Sequence, residues 1–292
     1  MNITSSPSEF APTDVVEDAL SEADFNKLAA LVQGMTGISL PPSKKTLVQA
    51  RLAKRLRILR MHSFSAYCKL VSGTDAAALD ERPNLISAIT TNVTRFYREP
   101  HHFEDLKTRV LPPLIERARA GGRVRIWSAG CSTGQEPYCI AMTILEMMPD
   151  ALRHDIKILA TDLDHVVLST AEKGKYGINL MEGVTDAQKN SFFEVSGNGE
   201  DRMYTVRPEP RKLISFKQLN LTGPWPMKGR FDFIFCRNVV IYFEHELEIN
   251  IFDGFAEKLM PGGYLFVGHS ERINTLEVPL FETAGVTTYR KV

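Results

Sequence analysis

The chain has 292 residues, 43% of them apolar, enough to bury a sizeable core in a main domain plus a smaller companion. Lysine plus arginine (35) balance aspartate plus glutamate (35), so the overall charge gives no support for a nucleic-acid partner. Cys68, Cys131, Cys139 and Cys236 have neither metal-ligand spacing nor the density of a disulfide scaffold, and read as free thiols with no metal expected. The opening residues lack the basic region and apolar run of a secretory signal, and no apolar stretch reaches the ~20 residues that span a bilayer. A soluble cytoplasmic protein is the expectation.

In chain order, residues 1–20 are rich in Ser, Pro, Asp and Glu and read as a flexible tail. Ser21 is a candidate cap with Asp24 in the first turn, and Phe25, Leu28, Ala29 and Val32 then recur at helical spacing as far as Gly34 or Gly37. Further helices are expected over 43–60, 63–71 and 81–90. Residues 21–92 thus form an all-helical N-terminal domain. The second helix has seven basic residues and no acidic one. Lys44, Arg51 and Arg55 cluster on a 3.6-residue helix, with Lys54 nearby, beside an apolar stripe of Val48, Leu52, Leu56 and Leu59. This face suits an acidic partner; a solvated amphipathic helix or a nucleic-acid contact would carry the same pattern.

Residues 90–99, TTNVTRFYRE, join the two domains and are dense in hydrogen-bonding groups beside aromatics, a composition suited to an interdomain cleft. Beyond Pro112-Pro113 the pattern becomes α/β over 93–292. Strands are predicted over 124–127, 156–160, 231–235 and 264–268, alternating with helices over 136–147, 165–173 and 245–259. Such alternation argues for a parallel sheet covered on both faces. Residues 176–212 interrupt it: FFEV and MYTV pieces flank Gly197-Asn198-Gly199 and read as an inserted β-hairpin subdomain.

Candidate site residues lie at the carboxyl ends of these strands. The first strand runs into Gly130-Cys131-Ser132-Thr133-Gly134, and Glu136 opens the next helix. Small residues there let the backbone approach a ligand, although a plain tight βα turn would use them too. The second strand ends in Asp162, about 30 residues beyond Gly130, where a carboxylate can accept both ribose hydroxyls of an adenosine. Alone it does not separate a nicotinamide cofactor from S-adenosylmethionine, but the missing third glycine counts against a dinucleotide. In FDFIFCRNVVIYF (231–243) an apolar strand gives way abruptly to Arg237, Asn238 and Tyr242, placed to face a cofactor or substrate; packing roles would account for them equally.

Taken together, TTNVTRFYRE, WSAGCSTGQEPYCIAM (127–142), Thr161-Asp162, Asn220-Leu221, FDFIFCRNVVIYF and Pro261-Gly262-Gly263-Tyr264-Leu265 closely resemble the CheR family of chemotaxis receptor methyltransferases. The likeness extends over about residues 20–290. It implies a helical N-terminal domain, a Rossmann-like S-adenosylmethionine-dependent methyltransferase domain and a small inserted antiparallel β-subdomain. It implies transfer of a methyl group to glutamate side chains in the helical methylation region of receptors, giving methyl esters and S-adenosylhomocysteine. By the same resemblance Gly130 receives S-adenosylmethionine, Glu136 holds its amino-acid part, Asp162 takes the ribose, and Asn220 and Leu221 lie near the adenosine. Thr94, Arg98 and Arg237 match cofactor-pocket positions, and Arg98 and Tyr242 match residues near the reacting methyl and substrate. Recruitment to membrane receptor arrays is implied as well.

There are departures. Gly130 replaces a more common alanine and Gln135 a more common glutamate; neither removes a group assigned to cofactor capture. Some relatives bind a peptide tether from the receptor's carboxyl terminus at the inserted hairpin. Residues 196–204 have the length of that version, but Arg202 stands where it usually carries glycine, which leaves tether binding open. Two other readings keep the same fold: identical chemistry on a receptor-like protein outside chemotaxis, or a non-catalytic cofactor-sensing docking module.

Overall fold

A computed structural model describes residues 19–274 and 276–292. Most of the expected tail (1–18) lies outside the described residues. Leu20, also assigned to the tail, is instead buried at 1% exposure and donates its N–H to Gln49 Oε1 at 3.2 Å, so it belongs to a core. The chain divides into two compact units, one comprising the residues up to Met35 with Leu40–Thr90, the other Thr36–Ser39 with Thr91–Val292.

The first unit is all helical: α1 (Glu22–Thr36), α2 (Lys45–Leu59), α3 (Phe64–Ser72) and α4 (Ala76–Ile89). The expected cap holds, since Asp24 N–H donates to Ser21 Oγ at 3.0 Å. Residues three and four apart face inward: Phe25, Leu28 and Val32 from α1, Val48, Leu52 and Leu56 from α2, Leu85 and Ile89 from α4. Helix α4 starts five residues before its expected first residue because Asp75 caps it through Ala78 N–H (2.9 Å), and Pro83 sits inside it. Lys44 falls in a 3₁₀ turn, Pro42–Lys44, ahead of α2.

The second unit opens with α5 (Pro100–Asp105), a π-helical turn (Leu106–Val110) and α6 (Leu111–Arg119), a helical path that the sequence reading omitted. Then follow β1 (Val124–Ala129), α7 (Gln135–Met147), β2 (Ile156–Asp162), α8 (His165–Lys173), β3 (Lys175–Gly177), α9 (Asp186–Phe192), β4 (Phe193–Ser196), β5 (Met203–Val206), α10 (Pro208–Lys212) and β6 (Ile214–Gln218). The chain ends with β7 (Phe231–Cys236), α11 (His245–Lys258), β8 (Leu259–Val267), β9 (Phe281–Gly285) and β10 (Thr288–Lys291). The large sheet has the order β6-β2-β1-β7-β8-β10-β9, parallel through β8 and antiparallel at the last hairpin.

Both faces are covered, and the period of two along each strand decides which side chain goes where. Ile126, Phe233, Phe235 and Phe266 point to one core with Leu106, Tyr138 and Ile140. Their neighbours Trp127, Ile234, Leu265 and Val267 point to the other, with Ile251 and Phe255 of α11. Trp127 packs edge-on against Trp225 (4.9 Å) and Phe255 (5.2 Å).

From β1 the chain travels outward through β2 to β6, then returns to β7 on the other side of β1. That reversal makes a topological switch point between β1 and β7, the place where open α/β sheets take ligands at their carboxyl ends. The smaller sheet, in the order β3-β5-β4, is the inserted subdomain. It carries one strand more than the expected hairpin, since β3 pairs antiparallel with β5. Gly197 (φ +73) and Gly199 (φ +57) supply the positive-φ backbone of the β4–β5 turn. Arg202 is extended (φ −64, ψ 127), a conformation open to any residue, so the missing glycine there leaves the hairpin intact.

Candidate active site at the switch point

After β1 the backbone turns sharply at Gly130 (φ +81). A Cβ there would sit 2.4 Å from Val239 Cγ2, because the turn lies against the loop that follows β7. The alanine common at this position in the resembling family is therefore strained in this chain. Gly130 and Cys131 N–H both donate to Thr161 O (2.8 and 2.9 Å), tying the turn to the end of β2.

Two acidic residues flank the turn. Glu136, in the first turn of α7, accepts from Ser128 Oγ at 2.7 Å and lies 3.6 Å from Arg237 Nη1. Burial raises its carboxyl above the usual range, and Arg237 and Ser128 offset only part of that. Asp162, ending β2, accepts Ser132 N–H (2.8 Å) and Asp164 N–H (2.9 Å), yet burial still pushes its carboxyl up to about 6. Asp164 caps α8 through Val166 N–H (2.8 Å) and takes Asn92 Nδ2 at 2.8 Å, while Ser132 Oγ donates to Asn92 O (2.9 Å). Segment 91–99 is thus fastened to the ends of both β1 and β2.

Arg237 stands at the centre. Its side chain is only 2% exposed and reaches Glu99 Oε2 (3.4 Å), Glu136 and the backbone carbonyl of Arg98. Its Nε is buried without a partner, as is Asn238 Oδ1. Arg98 is part exposed, donates from Nη1 to Val93 O at 3.0 Å, and has Nε 4.0 Å from Glu99 Oε1. Burial would raise the Glu99 carboxyl, but Arg237 and the His269 hydrogen bonds outweigh it and hold it below the usual range. Glu99 also lies with His101 and His102 in a group whose ligand atoms fall within 4.8 Å of one another. The Arg237 guanidinium, 3.4 Å from Glu99 Oε2, already supplies a fixed positive charge to that carboxylate, which disfavours a divalent ion.

The remaining expected residues are placed as follows. Asn220 and Leu221 follow β6, and Leu219 N–H donates to Asp162 O (2.9 Å), so they adjoin the end of β2. Asn220 Oδ1 accepts from Thr222 N and Oγ1 (3.1 and 2.9 Å), and Leu221 packs with Trp127 and Ala129. Thr94 is half-buried. Tyr242 ends a 3₁₀ turn, Val240–Tyr242, and its half-buried ring carries a hydroxyl with no protein partner among the described residues. The four basic docking candidates divide. Lys44 and Lys54 are exposed. Arg55 instead forms a two-pronged pair with buried Glu81 (Nε–Oε1 2.7 Å, Nη2–Oε2 2.5 Å), and Arg51 donates to Ile89 O and Thr90 O. Two of the four guanidinium and ammonium groups are thus engaged in holding α2 to α4. Ser128, Ser132 and Glu99 lie in the motifs quoted above but have no role assigned there, and Glu271, just beyond β8, is not singled out at all.

Chemically, the switch point places acids on both sides of a glycine turn and, beside Glu136, a buried guanidinium whose Nε has no partner. It lacks the glycine triplet that admits a pyrophosphate. Such a set fits the amino-acid and ribose parts of S-adenosylmethionine, and the fold class is that of a methyltransferase using it. Residues 92–290 match the family described as CheR methyltransferase, SAM binding domain, and residues 23–90 match CheR methyltransferase, all-alpha domain. A probable chemotaxis protein methyltransferase of Rhizobium etli is 46% identical over 89% of this chain and 96% of its own length. Chemotaxis protein methyltransferase 1 of Pseudomonas aeruginosa is 37% identical (88% and 92%), and the chemotaxis protein methyltransferase of Escherichia coli is 37% identical (93% and 91%).

The chain belongs to the CheR methyltransferase family. It is an S-adenosylmethionine-dependent protein-glutamate O-methyltransferase that acts on chemotaxis receptors. No helix among the described residues is long and apolar enough to cross a membrane.

Proposed function

We propose that Arg98 and Tyr242 orient the receptor glutamate while Thr94, Gly130, Glu136, Asp162, Asn220, Leu221, Arg237 and Asn238 hold the cofactor. The observation that carries this reading is the run of contacts Arg98–Arg237–Glu136–Ser128, which joins four separate segments at the carboxyl ends of β1 and β7. Glu136 takes the ammonium and Arg237 the carboxylate of the amino-acid part, and Asp162 accepts from the ribose hydroxyls.

S-adenosylmethionine supplies a methyl group on a sulfonium. A glutamate with an ordinary pKa near 4.3 is ionised at neutral pH, so no residue has to remove a proton. What the chain provides is alignment and exclusion of water. The Tyr242 hydroxyl, free of protein partners among the described residues, donates to one carboxylate oxygen, and Arg98 steers the carboxylate by a hydrogen bond without protonating it. Arg237, buried and paired with two acids, favours the ionised form of Glu136 and so offsets part of the rise that burial imposes on it. Tyr242→Phe tests this assignment. Methyl transfer falls about 10²-fold if a steering contact is lost, and an unchanged catalytic efficiency refutes the role.

Receptor capture uses Lys44 and Lys54, whose charges are exposed, and draws the enzyme to receptor arrays in the cytoplasm. Attraction to acidic methylation helices raises the encounter rate most at low salt. Arg51, bonded only to neutral carbonyls, adds positive potential while holding the helix in place, whereas the charge of Arg55 is met by Glu81. A receptor's carboxyl-terminal peptide adds as a strand to the free edge of β4, where Val195 is 55% exposed. Titrating a labelled peptide of that terminus checks this; no binding at millimolar concentration removes the tether from the account.

A further inference from the structure

Four backbone N–H groups converge on one carboxylate outside the cofactor and substrate contacts. Glu271, 2% exposed, follows β8 in a turn closed by its own N–H to Gly268 O (2.8 Å). Its Oε1 accepts from Val239 N (2.8 Å) and Val240 N (2.9 Å), and its Oε2 from Asn238 N (2.8 Å) and Gly268 N (2.5 Å). Asn238 is left-handed (φ +59) and Val239 right-handed (φ −118, ψ −50). Alternating hands turn successive N–H groups to one side, the backbone nest that binds anions. Here the anion is the protein's own side chain. Gly268 is forced close by the same arrangement, since a Cβ there would meet Asn238 Nδ2 at 2.5 Å.

The loop so held begins at Arg237 and ends at Tyr242, and its Val239 lies against Gly130. Without the carboxylate, the N–H groups of Asn238, Val239 and Val240 would lose their common acceptor, and the turn that holds Asn238 left-handed would lose the anion it closes around. We propose that Glu271 is a positioning residue for methyl transfer: it moulds the 237–242 loop around its carboxylate and thereby sets where Arg237, Asn238 and Tyr242 stand. This rests on the reading of that loop as part of the active site. Glu271 touches neither reactant.

Glu271→Gln keeps the size but sets an NH₂ group against two of the four donors. Steady-state methylation of receptor and amide hydrogen exchange are read on the same folded protein. The expected result is a fall in kcat of about 10²-fold with receptor KM within about twofold, because docking uses other surfaces. Amides of residues 238–240 and 268 then exchange faster while those within β7 and β8 keep their protection. Glu271→Asp, which keeps the charge one methylene short, gives smaller changes in the same direction and serves if the glutamine variant does not fold. Normal kcat despite lost protection overturns the proposal, as does a kcat loss with protection intact. Should Tyr242→Phe prove fully active, only the Tyr242 assignment falls, because exchange and kcat of the Glu271 variants are read independently of it.

Discussion

Acidification from pH 7 to pH 5 is expected to release the cofactor, and Asp162 is the reason. Burial raises its carboxyl to about 6 from the ordinary 3.8, so the free protein has it about nine-tenths ionised at pH 7 and about one-tenth at pH 5. Ribose hydroxyls donate to the ionised form, so the affinity is fully present above the folded value and is lost as pH falls through it. The ratio of ionised fractions predicts that Kd for S-adenosylhomocysteine rises about tenfold across this interval, about 1.4 kcal/mol. The two N–H bonds from Ser132 and Asp164 remain in either state and do not alter the sign. Titration calorimetry at half-unit steps from pH 7.5 to 5 measures it. Asp162→Asn binds more weakly throughout and loses this part of the slope. A Kd flat to pH 5, or the same fall in Asp162→Asn, refutes the reasoning.

Other perturbations separate structure from docking and chemistry. Arg55→Ala leaves the Glu81 carboxylate buried and uncompensated, at a cost of about 2–4 kcal/mol in urea unfolding; a loss under about 0.5 kcal/mol would return Arg55 to the docking surface. Lys44→Glu with Lys54→Glu changes stability by no more than about 0.5 kcal/mol but slows receptor association, most at low salt, as stopped-flow mixing over a salt series would show; equal rates at every salt would remove the steering role. Gly130→Ala places an L-residue at φ +81, costing about 1–2 kcal/mol before the contact with Val239, and weakens cofactor binding in a folded protein. Wild-type affinity there would mean the turn yields freely.

How much of this could be read from the chain depended on whether a residue's partner lay nearby in sequence. Strand β7 was evident because all six of its residues are buried and five are apolar, and helix α8 was expected over 165–173, where it stands. The α5–α6 path was missed because the change of pattern was placed at Pro112-Pro113, whereas these prolines sit in the first turn of α6, as Pro100 does in α5, where a missing N–H is tolerated. Strand β6 alternates Ile214 and Phe216 with Ser215 and Lys217, but over only five residues, and β9 and β10 are short. The glycine turn and Asp162 declared themselves by standing at strand ends. Arg51 and Arg55 show charge in the sequence and conceal their use, since Glu81 is 26 residues from Arg55 and Ile89 is 38 from Arg51. Glu271 was hidden for the same reason: three of its four partners are backbone N–H groups more than 30 residues earlier, invisible to composition or period.

Incubating the purified protein with methyl-labelled S-adenosylmethionine and membranes bearing receptors from its own cell tests the account most directly, with mapping of the modified residues. The account predicts label on receptor glutamates, released as methanol by mild base, and much less with Asp162→Asn or Arg237→Ala at the same subsaturating cofactor concentration. Label on another residue type, stable to base, or full transfer by both variants, would contradict it.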